Sequence, residues 1–148
     1  MATVDENLIA FLVADTNNPS VPKLCGGRIH QNYVPPGLNG KSPMTPYVWF
    51  AKSDDSGEDA LADSAGTEAY NNVFDLECWA ATTPEAVALK NAVRKRLHLA
   101  RGTFGASTVQ GVFVAGQGGD YQLTGTGATG MAAANYGEAL LVDVKGHV

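Results

Sequence analysis

Val73-Phe74-Asp75-Leu76-Glu77-Cys78-Trp79-Ala80-Ala81-Thr82-Thr83-Pro84-Glu85-Ala86 changes its periodicity halfway along, and that change decides the fold. In the first seven residues Phe74, Leu76 and Cys78 fall on one side of an extended chain, while Asp75 and Glu77 fall on the other with Val73 and Trp79. This is a half-buried strand, of the antiparallel kind that packs one face and leaves the other to water. Thr82-Thr83-Pro84-Glu85 then opens a helix: Thr83 reads as the N-cap, Pro84 as the first helical residue, and Glu85 lies near the positive end of the helix dipole. Ala86, Leu89, Val93 and Leu97 give that helix one apolar stripe, and Gly102 is its expected stop.

Upstream, Thr3 and Glu6 have the spacing of a capping box, and Val4, Leu8, Phe11 and Leu12 recur at helical intervals. A short helix over about 4–14 follows, ended by Pro19 and Pro22. Arg28 to Val34 has strand character with little apolar content, and a Pro/Gly-rich connection occupies 35–46. Pro46-Tyr47-Val48-Trp49-Phe50-Ala51 is the clearest buried strand, its aromatic and β-branched residues suited to a pleated surface. Downstream, Val109 to Val114 and Glu138 to Val144 read as strands. Between them Gly116 to Gly130 reads as a Gly/Thr loop or ribbon around a short strand, Tyr121-Gln122-Leu123-Thr124. The expected fold class is α+β: one domain over 1–148, with a mainly antiparallel sheet and two helices packed on one face.

The 148 residues suit a single domain with a modest core. Leu, Ile, Val and Phe number 33, while 21 Ala and 17 Gly inflate the apolar and loop-forming shares. The surplus sits in three segments, 35–46, 54–72 and 116–130, together 46 residues. Fixing their backbones at about 1 kcal/mol each would cost on the order of 50 kcal/mol, several times a typical domain stability. These segments are therefore expected to be mobile or to be ordered by neighbouring subunits.

Composition also narrows the chemistry. The longest apolar run, Leu8 to Ala14, is seven residues against the roughly 20 needed to span a bilayer, so no membrane partner is expected. It follows Asp5 and Glu6 rather than a basic region, unlike a signal peptide, and a cytosolic chain with reduced cysteines is expected. Fifteen acids against ten bases give a net charge of −5, which repels rather than attracts a phosphate backbone. Cys25 and Cys78 lie far apart, and His30, His98 and His147 are scattered, so no zinc motif exists. Cys25 beside Gly26 and Gly27 would need His30 or His98 as its base to be a nucleophile, and neither stands in a catalytic signature. Both cysteines read as core residues.

Gly125-Thr126-Gly127-Ala128-Thr129-Gly130 spells G-x-G-x-x-G, but a dinucleotide site also needs a helix, a second strand and a later acid, and only 18 residues follow. Asp54-Asp55-Ser56-Gly57-Glu58-Asp59 lacks the ligand alternation of a calcium loop. No catalytic residue, metal ligand or cofactor site is assigned, and no enzyme activity is expected.

Two charge clusters remain. Six acids and no base lie between Asp54 and Asn72, and five bases without an acid lie between Lys90 and Arg101. Lys90, Arg94 and Arg101 are expected on one helical face. Asp54, Asp55, Glu58 and Asp59 on one copy and Lys90, Arg94, Lys95 and Arg101 on another are the candidate contacts between subunits or with a partner.

The block from Phe74 to Ala86, running into Leu89, Ala92-Val93 and Leu97, resembles the central segment of the tail-terminator, or tail-completion, proteins of long-tailed bacteriophages. So does the order around it: an N-terminal helix, Gly27-Arg28-Ile29 entering a strand, a Pro-rich connection ending in Pro46-Tyr47-Val48, an acidic loop, and a last strand at Leu140 to Val144. The resemblance implies a small subunit of a ring, usually hexameric, at the head-proximal end of the tail tube. Such a ring stops tube polymerisation and meets the head connector. Its partners are then further copies of itself, the tail tube protein and the connector, and genome DNA passes its lumen without specific binding. It implies a virion location in tail or neck, after assembly in the bacterial host's cytoplasm, and no catalytic residues. A neck or head-closure subunit is the near alternative. A small cytosolic ligand-binding domain or enzyme using 116–130 is the distant one. The Gly/Thr-rich 116–130 stretch is a departure from the family's pattern and reads as a subunit-specific arm.

Overall fold

The computed structural model describes residues 4–37, 43–54, 69–104, 107–126 and 132–147. Along the chain these form α1 (Val4–Val13), α2 (Val21–Cys25), β1 (Ile29–Gln31), β2 (Tyr47–Asp54), β3 (Ala69–Ala80), α3 (Thr83–Leu97), β4 (Gly102–Phe104), β5 (Ser107–Thr126) and β6 (Ala132–His147). The strands make one sheet in the order β1-β2-β3-β6-β5-β4. Only the short β1 pairs in parallel, with β2; every other neighbour is antiparallel. The expected α+β class with a mainly antiparallel sheet holds. Because β3 and β5 both run antiparallel to β6, they are parallel to each other with β6 inserted between them, and α3 carries the chain from β3 across the sheet to the edge strand β4, which turns into β5.

The register explains which side the helices take. Phe50, Leu76 and Leu140 stand in one row across β2, β3 and β6, and Phe74, Val142 and Val114 in the next across β3, β6 and β5. Phe50, Phe74, Leu76 and Val142 are fully buried, and the Phe50 and Phe74 rings meet edge to face at 5.9 Å. Against these rows pack Leu89, Val93 and Leu97 of α3, Leu8 and Leu12 of α1, and Val21 and Cys25 of α2. All three helices therefore cover the same face, one helix more than the sequence pattern suggested.

The unexpected helix is α2. Pro19 and Pro22 read as terminators of α1, but Pro22 stands in the first turn of a new helix, where a missing N–H costs nothing. Ser20 caps it by accepting from Lys23 N–H at 3.2 Å, and Gly26 closes it in the left-handed region at φ 61° with its N–H on Pro22 O. The buried Asp15 carboxylate holds the joint, accepting from Val21 N–H at 2.9 Å and from the Asn17 backbone and side chain.

Helix α3 departs from expectation at both ends. Its N-cap is Thr82, whose hydroxyl accepts from Glu85 N–H, and Thr83 is already helical. It stops at Leu97 rather than near Gly102, because His98 is extended and Leu99 adopts φ 62°. Leu99 N–H then donates to Val112 O and Val112 N–H to Ala100 O, so backbone pairing with β5 takes over where the helix ends.

The described part of the Gly/Thr region, 116–126, belongs to a strand. β5 runs unbroken from Ser107 to Thr126 with register shifts at Val109/Gly111, Val114/Gly116 and Gln117/Asp120, where bulges let it twist. Pairs from Gln122↔Tyr136 to Thr126↔Ala132 make a ribbon. β3 ends its pairing at Ala80↔Tyr136, so from there outward the described ribbon has two strands. Of the G-x-G-x-x-G string, Gly125 and Thr126 stand in β5, with Gly125 paired to Ala133, and residues 127–130 lie outside the described residues.

Candidate interaction surfaces

The five bases of the 90–101 segment divide into two inward and three outward. Lys90 turns toward the sheet and meets the buried Glu138 of β6, Nζ to Oε2 at 3.1 Å, with both side chains largely shielded. Arg96 reaches α1: its guanidinium carbon lies 3.7 Å above the Phe11 ring and its Nε–H donates to Phe11 O at 3.0 Å. Arg94 and Lys95, in the last turn of α3, are exposed, as is Arg101 in the connection to β4. The expected helical face of Lys90, Arg94 and Arg101 is thereby corrected, since Arg101 lies beyond the helix and Lys90 is held inside the chain.

On the acidic side Asp54 is the last residue of β2, while Asp55, Glu58 and Asp59 lie outside the described residues. Two carboxylates that the structure does place, Asp75 and Glu77, lie on the face of β3 opposite the helices, in the rows Ala51–Asp75–Leu141 and Trp49–Glu77–Ala139. Trp49, Asp75, Glu77, Ala139 and Leu141 frame an open trough of about 390 Å³. Asp75 is exposed, Leu141 is 37% exposed, and Trp49 is partly so. Glu77 is braced by its neighbour, accepting from Trp79 Nε1–H at 2.9 Å. Trp79 in turn lies flat over Gly137, where an added Cβ would stand 2.7 Å from the ring, so only glycine fits that close approach. The alternation in 73–79 signalled the exposed Asp75 on this face but not the burial of Trp79, which is 5% exposed; the missing information was which strands would extend the face.

A second hollow, about 450 Å³ between Lys23, Pro46, Ala81 and Glu85, has no convergent nucleophile or base among the described residues. Cys25 and Cys78 are buried and unbridged. Burial pushes the Cys25 thiol up against the opposing pull of the Gly27 backbone and Arg28, and burial pushes Cys78 up far more, so neither is poised as a thiolate. His30 is held below its usual range by burial and the Arg28 charge. No group of three metal-ligating side chains occurs among the described residues, and no described helix is long and apolar enough to cross a membrane.

The layers define a class: helices on one face of a mainly antiparallel sheet, a second face on which no described helix packs, and a hairpin that outruns the sheet. That fold is shared with a chain in the virion of a native gene transfer agent particle, at TM-score 0.67 and 17% identity, over 95% of this chain and 92% of that one. The likeness is one of fold. Sequence comparison finds no matching protein family and no matching protein of curated function.

Proposed function

We propose that this chain is a structural virion protein of a phage-type particle, and within that class a tail terminator: a homo-oligomeric ring, hexameric in the resembling family, that ends the tail tube and receives the head connector. The observation that carries the proposal is the near end-to-end fold likeness to a component of a gene transfer agent virion, which agrees with the family resemblance of the 74–97 segment. Three features support an assembly role. The net charge of −5 suits a wall past which DNA slides. Among the described residues, one face of the sheet carries no helix. The β5–β6 ribbon outruns its neighbours, and a lone two-stranded ribbon is marginal in water unless something packs on it.

The test is light scattering after size exclusion, alone and with tail tube protein, together with electron microscopy of tubes grown in its presence. A ring that caps tubes at one end and limits their length is the expected result. Binding to connector without any effect on tube length would instead place the chain in the neck. A monomer indifferent to both would overturn the reading.

A further inference from the structure

We infer that the Asp75/Glu77/Trp49 trough is the socket for the Arg94–Lys95 end of α3 from a second copy of this chain. The inference rests on the ring reading and gives it an interface.

The trough's chemistry is that of a guanidinium or ammonium receptor. Two carboxylates stand on adjacent rows of β3, an indole lies beside them on β2, and Ala139 and Leu141 supply an apolar floor and wall. A planar cation can stack on an indole while its N–H groups bind a carboxylate, and an apolar floor strengthens both by excluding water. Glu77 is already oriented by Trp79, so part of the ordering entropy is spent before anything binds.

The complement lies on the same chain, in a place that cannot reach. Of the basic side chains near α3, Lys90 is committed to Glu138 and Arg96 to Phe11, which leaves Arg94 and Lys95 projecting from the last helical turn with Arg101 close behind. Their helix packs on the face that carries Phe74, Leu76 and Val142, whereas Asp75 and Glu77 point from the opposite face. The sheet stands between socket and plug. They pair only between copies, and because they are different patches the contact is head to tail, the kind that closes into a ring when its rotation permits.

Charge exchange tests this with full-length protein. Asp75 and Arg94 are both exposed, so their reversal leaves the core untouched. Asp75→Arg and Arg94→Asp, each alone, should weaken self-association about tenfold or more and lower the mass seen by light scattering, with melting temperatures close to the parent's. Asp75→Arg combined with Arg94→Asp in one chain should recover the parent's mass, and raised salt should weaken parent and double variant alike. Either single variant assembling as the parent does, or a double variant no better than the singles, would overturn the inference while leaving the ring reading intact. A parent monomeric with and without tail tube protein would overturn both.

Discussion

The two halves of the β5–β6 hairpin share a backbone pairing and almost nothing else. Near the sheet, Val112 and Val114 pair with Val144 and Val142, β3 lies alongside, and the helix layer covers the side chains. Beyond Tyr136 the same two strands continue as Gly125↔Ala133 and Thr126↔Ala132 with no third strand among the described residues. The first half is held by burial worth roughly 1.5–3 kcal/mol for each large side chain; the second is written mostly in Gly, Ala and Thr, with little apolar area to offer. A strand's length is thus no measure of what it contributes to the stability of its own subunit.

The comparison breaks most sharply in the covered half. Phe74→Ala should cost about 3–5 kcal/mol by removing a fully buried ring from its edge-to-face contact with Phe50, seen as a large drop in the denaturant midpoint. At the boundary, Lys90→Ala would remove the cation that faces Glu138, which is 2% exposed, and should cost about 3 kcal/mol, whereas Lys90→Met with Glu138→Leu should recover much of that loss in a double-mutant cycle. Gly137→Ala, next along β6, drives a methyl into the Trp79 ring and should cost about 1–3 kcal/mol, with a change in Trp fluorescence as the indole shifts. In the two-stranded half, replacing residues 124–134 by Asn-Gly, joining the Leu123↔Asn135 pair through a tight turn, should alter stability by no more than about 0.5 kcal/mol and yet reduce assembly. The smallest effect is from pH. His30 resists protonation in the folded chain while the unfolded chain takes the proton near pH 6.5, so stability present above that value declines slightly as pH falls through and below it. His30→Asn should flatten that decline in melts run from pH 7.5 to 5.5.

Much of the covered half was legible. The alternation of Phe74, Leu76 and Cys78 assigned β3 and its buried side, and the stripe through Leu89, Val93 and Leu97 assigned α3 and the face it turns inward. α2 was hidden because a proline after a helix reads as a stop until Ser20, two residues before Pro22, and Gly26 are read together as the two caps of one turn. The basic cluster was visible as charge but not as roles. Lys90 and Arg94 differ by one helical turn, yet one faces a buried glutamate from residue 138 and the other faces water. Glu138 itself looked like the polar start of a strand; its burial depends on Cys78, its partner across the sheet, which no local pattern links to it. The bare acidic face was implied by Asp75 and Glu77 alone, while the trough required Trp49 and Leu141 to arrive from 26 residues before and 66 residues after Asp75.

The sequence by itself determined which segments are strand and helix in the well-patterned middle of the chain, which side of each is apolar, and that the chain carries an acidic net charge. Those properties follow from side-chain direction along one segment, which is local. Only the tertiary structure decided that β6 inserts between β3 and β5, that Lys90 is spent inside while Arg94 is not, and that the 107–126 segment is one strand. Alternation says which face of a strand is buried but is silent on its neighbour, and that choice comes from the summed packing of residues far apart in the chain.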